Sequence, residues 1–204
     1  MSGLRPAVFL DRDGVLTIPE FRDGRSFAPL RLADFRLYDD AAPAARQMKA
    51  AGFCLVVVTN QPDVGHGRVD RGIVEAMHQR LATALPLDAI EACYHKQSDG
   101  CDCRKPKAGM LRRAASRLGI DCHASFMVGD RASDIAAGRE AGCRTIFMIA
   151  AISTRTPRAR ISSCPRLAPR HRSCCANSPA TTPQSELPKR VRVAYDCDNG
   201  GMGV

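Results

Sequence analysis

The chain alternates short uninterrupted apolar runs with longer stretches in which apolar residues recur every three or four positions. Ala7–Leu10 is the first such run, and it ends abruptly in Asp-Arg-Asp-Gly. Four apolar residues closed by a polar turn predict a strand buried on both faces, with a loop at its carboxyl end. Residues 53–58, 125–128 and 144–149 repeat the pattern and predict three more strands. Helical spacing occupies the intervals, in residues 40–51, 70–84, Gly109–Leu118 and 133–141; in the second of these it runs through Ile73, Val74, Met77 and Leu81. Strands separated by helices imply right-handed crossovers and a parallel sheet covered on both faces, an α/β fold. In such sheets ligands bind beyond the carboxyl ends of the strands. Asp11 and Asp13, Thr59 and Asn60, Asp130 and Asp134 all fall there.

The pattern stops after residue 149. Residues 151–188 are rich in Ser, Arg, Pro, Ala and Thr, and six prolines between 157 and 188 oppose an ordered helix. The expected organisation is a domain over residues 1–150 and a basic, disordered tail over 151–204. Charge supports this division. Of the 30 Lys and Arg and 21 Asp and Glu that give the chain its net +9, residues 151–204 hold nine and three, leaving 21 and 18 in the first 150. The body is therefore close to neutral, and the basicity belongs to the tail. Nucleic-acid binding through that tail is the reading from another class, but Trp is absent and Tyr numbers only three, so aromatic interleaving is lacking. No apolar run approaches the roughly 18 residues of a membrane span. The first residues lack the charged and apolar regions of a signal peptide, so the expected compartment is the cytoplasm.

The aspartates carry the candidate chemistry. Asp11 can attack phosphorus and release an acyl phosphate. Its approach to a phosphate dianion calls for a divalent cation, and hard Mg²⁺ suits a set of carboxylates. Asp13 can protonate the leaving alkoxide and then take a proton from water. Asp130 offers a further carboxylate, and Asp134, one turn into a helix, could hold a metal-bound water or orient the site. Thr59 and Asn60 offer polar groups to phosphoryl oxygens, and Lys105 offers a fixed positive charge. An Asp-x-Asp pair alone reads as loop polarity more often than as catalysis. The combination at successive strand ends reverses that reading.

Four segments, Phe9-Leu10-Asp11-Arg12-Asp13-Gly14-Val15-Leu16, Val57-Val58-Thr59-Asn60-Gln61, Cys103-Arg104-Lys105-Pro106-Lys107 and Val128-Gly129-Asp130-Arg131-Ala132-Ser133-Asp134, resemble the motifs of the haloacid dehalogenase-like phosphatases. Within that superfamily they are similar to the histidinol-phosphate and heptose-bisphosphate phosphatase group, over residues 6–149. The resemblance implies a Rossmann-like three-layer α/β/α domain with a mainly parallel sheet and catalysis by Asp11, Asp13, Thr59 and Lys105. It implies Mg²⁺ at Asp11, Asp13 and Asp130 and substrate contacts from Arg104 and Arg131; Asn60 and Gln61 at the substrate and Asp134 behind the metal are expected from their polar groups at the strand ends. The intervals between motifs leave no room for a large cap domain.

Cys93, His95, Cys101 and Cys103 place three thiols and an imidazole within a short segment, a set suited to tetrahedral Zn²⁺. Four protein ligands leave no open position, so the zinc is structural and would hold Arg104 and Lys105 over the phosphate. The resembling group carries a zinc loop of this form. Cys54, Cys122 and Cys143 read as packing residues, and Cys164, Cys174, Cys175 and Cys197 of the tail form no recognisable metal spacing. Substrate selection falls to the zinc loop and to residues 17–29, which include Arg22, Arg25 and Phe27. Such a basic loop favours a small phosphorylated metabolite with a second phosphate, a sugar bisphosphate such as D-glycero-D-manno-heptose 1,7-bisphosphate. Histidinol phosphate is the alternative, and a monomer is expected.

Overall fold

Strand β1 (Ala7–Leu10) lies in the middle of the sheet, and all four of its residues are buried. It pairs in parallel with β4 (Cys54–Asn60) on one side and β6 (Phe126–Gly129) on the other, so that Phe9 stands between Val56 and Met127. A strand flanked and covered in this way has no solvent face, hence its unbroken apolar run. The computed structural model describes residues 3–22, 25–149 and 193–195. Its main sheet runs β5-β4-β1-β6-β7-β8, with β5 (Ala89–Cys93) and β7 (Arg144–Met148) continuing the parallel order. The chain builds outward from β1 in both directions, so a crevice opens at the carboxyl end of β1.

Two layers of helix cover the faces. On one face α1 (Ala41–Ala50) and α3 (Arg71–Ala84) bring Ala41, Ala45, Met77 and Leu81 against Val8, Leu10, Leu55 and Val57. The Asp70 carboxylate caps α3 by accepting the Gly72 N–H at 2.7 Å. On the other face α4 (Gly109–Leu118) and α5 (Ala132–Glu140) bring Met110, Leu111, Ala114 and Ala137 against Phe9, Val56 and Met127. The three-layer α/β/α arrangement matches the expectation, and no helix among the described residues is long and apolar enough to cross a membrane.

Five elements go beyond the sequence reading. Residues 17–29 contain a hairpin of β2 (Glu20–Arg22) and β3 (Arg25–Phe27), and Pro62–Gly65 forms a single turn, α2. The edge strand β5 escapes an apolar-run criterion because Glu91 stands at its centre, buried and paired with Arg113 and Arg117. From the segment expected to be a disordered tail, Val193–Tyr195 forms β8, antiparallel to β7, with Ile146 opposite Tyr195. The remainder of that segment lies outside the described residues.

Helix α5 sits close enough to the sheet that a Cβ on Gly138 would lie 2.6 Å from the Met127 Cβ and 2.8 Å from the Thr145 Cγ2. Gly138→Ala must therefore push α5 away from β6 and β7. Overpacking outweighs the gain in helix propensity, and a net loss of about 1–2 kcal/mol is expected as a lower urea midpoint.

Candidate active site

The carboxyl ends of β1, β4 and β6 bring the motif residues to one rim. Lys105, 3% exposed, reaches in from the loop before α4. Its Nζ lies 2.8 Å from Asp11 Oδ1, 2.7 Å from Asp134 Oδ1 and 2.7 Å from the Val58 carbonyl oxygen. Burial disfavours the charge of Lys105, yet Asp11 and Asp134 outweigh it and raise its pKa above the usual lysine value. The same burial pushes Asp11 up to about 7 against the pull of Lys105, with Asp134 and Asp13 adding to the rise. Asp130 is pushed up to about 6 by burial; Arg131 opposes this and Asp134 adds to it. One ammonium thus falls short of balancing the crowded carboxylates.

The residual negative charge has a definite location. Asp11, Asp130 and Asp134 each present an oxygen within 4.8 Å of the others. Asp130 Oδ1 is buried with no hydrogen-bond partner, and Arg131 Nε stands 4.0 Å from it. Asp134 differs, since Lys105 engages one of its oxygens and the Arg131 N–H donates to the other at 3.0 Å. Hard oxygen donors with an unpartnered buried oxygen among them fit a small divalent cation. Gly14 makes the convergence possible: at φ 91°, its missing Cβ would lie 2.1 Å from Asp130 Oδ2.

Asp13, expected both to ligate the metal and to transfer protons, lines the cleft but stands outside the Asp11, Asp130 and Asp134 group, and its carboxylate is held by donors of the protein. It accepts from Arg12 Nη2 at 2.9 Å, from Arg12 Nε at 3.1 Å, from Gln61 Nε2 at 3.0 Å and from Thr17 Oγ1 at 3.1 Å. Burial alone would raise its pKa, but Arg12 and these other donors outweigh burial and lower it. Asn60 and Gln61, expected at the substrate, have their side-chain amides engaged within the protein. Asn60 exchanges two hydrogen bonds with the Lys105 backbone, at 3.0 and 3.1 Å, and Gln61 Nε2 also donates to Thr59 Oγ1 at 2.8 Å. They hold Lys105, Asp13 and Thr59 in place.

Arg12, a residue the sequence reading passed over, is fully buried. Its guanidinium lies over the Phe35 ring at 5.5 Å, and Nη1 donates to His78 Nε2 at 3.2 Å. A guanidinium has only donors, so His78 Nε2 is the acceptor and the ring proton sits on Nδ1, facing Glu75 Oε2 at 3.6 Å. The signal in the sequence was His78 itself, placed on the buried stripe of α3 with Val74, Met77 and Leu81.

The zinc-loop expectation has direct geometric support. Cys93 Sγ lies 3.6 Å from His95 Nδ1 and 3.7 Å from Cys101 Sγ, while Cys103 Sγ lies 3.2 Å from His95 Nδ1 and 3.5 Å from Cys101 Sγ. Tetrahedral zinc with its usual bond lengths needs S–S edges of about 3.8 Å and S–N edges of about 3.5 Å, so the four atoms already stand within a few tenths of an ångström of its vertices. Lys107 closes the loop from outside through Asp102 at 2.9 Å and the Gly100 carbonyl at 3.3 Å.

Above the rim lies a cleft of about 920 Å³, lined by Asp11, Asp13, Thr59 and Lys105 in its floor and by Arg68, Arg104, Lys107 and Arg131 around them. The β2–β3 hairpin forms one wall, fastened where Arg131 Nη2 donates to the Ser26 carbonyl at 3.0 Å and Oγ at 3.2 Å. Arg22, expected to face substrate, instead pairs with Glu20 and lies over Phe27.

Two outcomes follow from this geometry. Burial and the Arg12 charge push His78 down to about 4, so the folded protein refuses a proton that the unfolded chain accepts below about pH 6.5. Stability is full above pH 6.5 and falls by up to about 3 kcal/mol as pH drops to 4; urea melts across this range should show a shallower loss for His78→Gln than for the native chain. In the zinc loop, Cys101→Ala should lose the bound zinc in metal analysis and lower the melting midpoint, because the loop has no core of its own.

Comparison with known proteins gives the family. The HAD-hydrolase-like family model matches residues 102–170. The D-glycero-β-D-manno-heptose-1,7-bisphosphate 7-phosphatase of Pasteurella multocida is 36% identical over 157 residues, spanning 72% of this chain and 82% of that protein. The enzyme of the same name from Escherichia coli K12 is 34% identical over 166 residues, 76% of this chain and 84% of its own. Among solved structures, the D,D-heptose 1,7-bisphosphate phosphatase of B. bronchiseptica, complexed with magnesium and phosphate, superimposes with a TM-score of 0.59 at 30% identity. That match covers 69% of this chain and 78% of the other. With its motif residues gathered at one rim and relatives of this kind along most of its length, the chain belongs to the haloacid dehalogenase-like phosphatases, in the group of the histidinol-phosphate and heptose-bisphosphate phosphatases.

Proposed function

We propose that this phosphatase hydrolyses the 7-phosphate of D-glycero-β-D-manno-heptose 1,7-bisphosphate in the cytoplasm, through an aspartyl phosphate on Asp11. The observation that carries the reading is the buried Asp11–Lys105–Asp134 arrangement beside the unpartnered oxygen of Asp130. Asp11 and Asp130, with Asp134 behind them, would hold a Mg²⁺ ion, which would supply the charge neutralisation a carboxylate needs to approach a phosphate dianion. Asp11 attacks phosphorus and the ester P–O bond breaks. The leaving alkoxide takes its proton from Asp13. Asp13 then removes a proton from water, the water oxygen attacks the acyl phosphate, and inorganic phosphate leaves as Asp11 is restored.

Before substrate binds, Asp13 is ionised, because Arg12 and its other donors hold its pKa low against burial. A phosphate dianion arriving beside it raises its proton affinity by like-charge proximity, so Asp13 takes up one proton from solvent as substrate binds, and this is the proton it gives to the alkoxide. Lys105 keeps its charge and stabilises the transferring phosphoryl group. Thr59 contacts a phosphoryl oxygen through its hydroxyl.

The heptose substrate is supported by the relatives' names and by the distribution of charge in the cleft. Lys105 lies at the floor, while Arg68, Arg104, Lys107 and Arg131 line the surrounding wall. A substrate with two phosphates can use both regions; histidinol phosphate, with one phosphate and a cationic amine, would face surplus positive charge there. The near-neutral body gives the nucleic-acid reading no support.

Hydrolysis of heptose 1,7-bisphosphate, histidinol phosphate and nucleotides should be compared with Mg²⁺ and with EDTA. Expected is Mg²⁺-dependent turnover with the highest kcat/KM on the bisphosphate, and a loss of about 10³-fold or more in Asp11→Asn with zinc content and fold unchanged. Turnover of histidinol phosphate at the higher kcat/KM would overturn the substrate assignment. Full activity in Asp11→Asn would overturn the mechanism.

A further inference from the structure

Two thiols outside the zinc loop meet at the amino ends of the strands, across the sheet from the catalytic rim. Cys143 immediately precedes β7 and is 7% exposed, whereas Cys122, in the turn before β6, is partly exposed. The Ser125 N–H donates to the Cys122 carbonyl at 3.0 Å and closes that turn, and the Arg144 N–H donates to the Ser125 carbonyl at 3.0 Å and fastens it to the start of β7. The neighbouring residues pack in the same way, for a Cβ on Gly142 would lie 2.8 Å from the His123 ring. This arrangement gathers Cys122 and Cys143 into one core cluster, Cys143 within it and Cys122 packed against it, both as free thiols. Neither belongs to the zinc group.

We propose that Cys122 and Cys143 are a peroxide-oxidisable dithiol, with Cys122 the attacking sulfur and Cys143 the resolving one. The hydrogen bond from Cys143 lowers Cys122 to about 7 despite burial, with Asp121 opposing and Arg112 assisting, and the same bond raises Cys143. The thiolate therefore resides on the more accessible sulfur. Cys122 attacks a hydrogen peroxide oxygen; the O–O bond breaks, hydroxide leaves and is protonated to water, and Cys122 becomes a sulfenic acid. The Cys143 sulfur then attacks the Cys122 sulfur, the S–O bond breaks, and hydroxide departs with the Cys143 proton as a second water. Two thiols and one peroxide give one disulfide and two waters, the two electrons passing to the peroxide.

The bond joins the ends of segment 122–143, which carries β6, Asp130, α5 and Asp134. It restricts the unfolded chain while leaving the rim, about 13 Å away along β6, untouched. Oxidation thus stabilises the segment that holds the catalytic carboxylates without entering the reaction.

The test uses the full, zinc-loaded chain treated with equimolar hydrogen peroxide, then alkylated and digested without reductant for mass spectrometry. Expected is a peptide linked through Cys122 and Cys143 and a melting midpoint about 5–10 °C above the reduced protein, reversed by dithiothreitol. Cys122→Ser should lose both while keeping its zinc and its phosphatase rate. Cys143→Ser repeats the test from the buried side, and if it does not fold, Cys122→Ser carries the comparison alone. Cys122 found as sulfinic acid or paired with another cysteine, with Cys143 still open to alkylation after unfolding, would overturn the proposal. A linked peptide without a midpoint rise would overturn the stabilising role.

Discussion

The contact on which the rest depends is the buried ammonium of Lys105 between Asp11 and Asp134. Removing three charges from water is costly, and truncating one partner of such a group leaves the others uncompensated. The fold tolerates the arrangement because each charge is held at a fixed point by backbone. Asp11 follows β1 and its N–H donates to the Val128 carbonyl at 2.9 Å, Asp134 caps the first turn of α5, and Lys105 also donates to the Val58 carbonyl. The carboxylates remain in excess of the ammonium. That imbalance is a strain on the resting protein and, for the same reason, the affinity of the site for a cation.

Holding Lys105 is harder than holding the aspartates, because it comes from a loop. Between the end of β5 and the start of α4 the chain has few apolar side chains with which to build a core. Two devices replace one. The Cys93, His95, Cys101 and Cys103 group draws the loop around a metal centre. The Asn60 side chain then grips the Lys105 backbone through both its donor and its acceptor, so the end of β4 fixes the residue that the zinc loop delivers. Zinc and Asn60 thus act on the same side chain from opposite ends of its loop.

This division explains what could be read from the sequence. The strands β1, β4, β6 and β7 were legible because apolar runs report burial on both faces, and the Cys and His spacing was legible because metal geometry limits it tightly. β5 was hidden by Glu91, whose burial is made acceptable by two arginines far along the chain. The identities of the polar site residues were legible, but their engagements were not. Asn60 and Gln61 have the right groups for binding phosphate, yet their amides are occupied by Lys105, Asp13 and Thr59. Arg12, between two aspartates in a loop, has the local signature of a solvated charge. Only the tertiary placement of His78 and Phe35 shows that it is buried. Sequence displays chemical capacity, whereas the direction of a lone pair or an N–H depends on contacts between residues far apart in the chain.

Among the described residues no cap covers the cleft, which sharpens the question of selectivity. A cleft of about 920 Å³ is far larger than a phosphoryl group, and the β2–β3 hairpin is a short wall rather than a lid. Fixing the reacting phosphorus in line with Asp11 by contacts to that phosphate alone would leave the rest of the substrate free to turn. Binding energy from a part of the substrate remote from the reaction can be used to orient the reacting part. The cations around the floor are placed for that use, and Arg131 joins the two tasks: its side chain fastens the hairpin at Ser26 while its backbone N–H fixes Asp134. An anion bound in that region would act on the element that borders the cleft and on the helix start that supports the carboxylates. Selection and alignment then rest on the same few residues at the border of an open cleft.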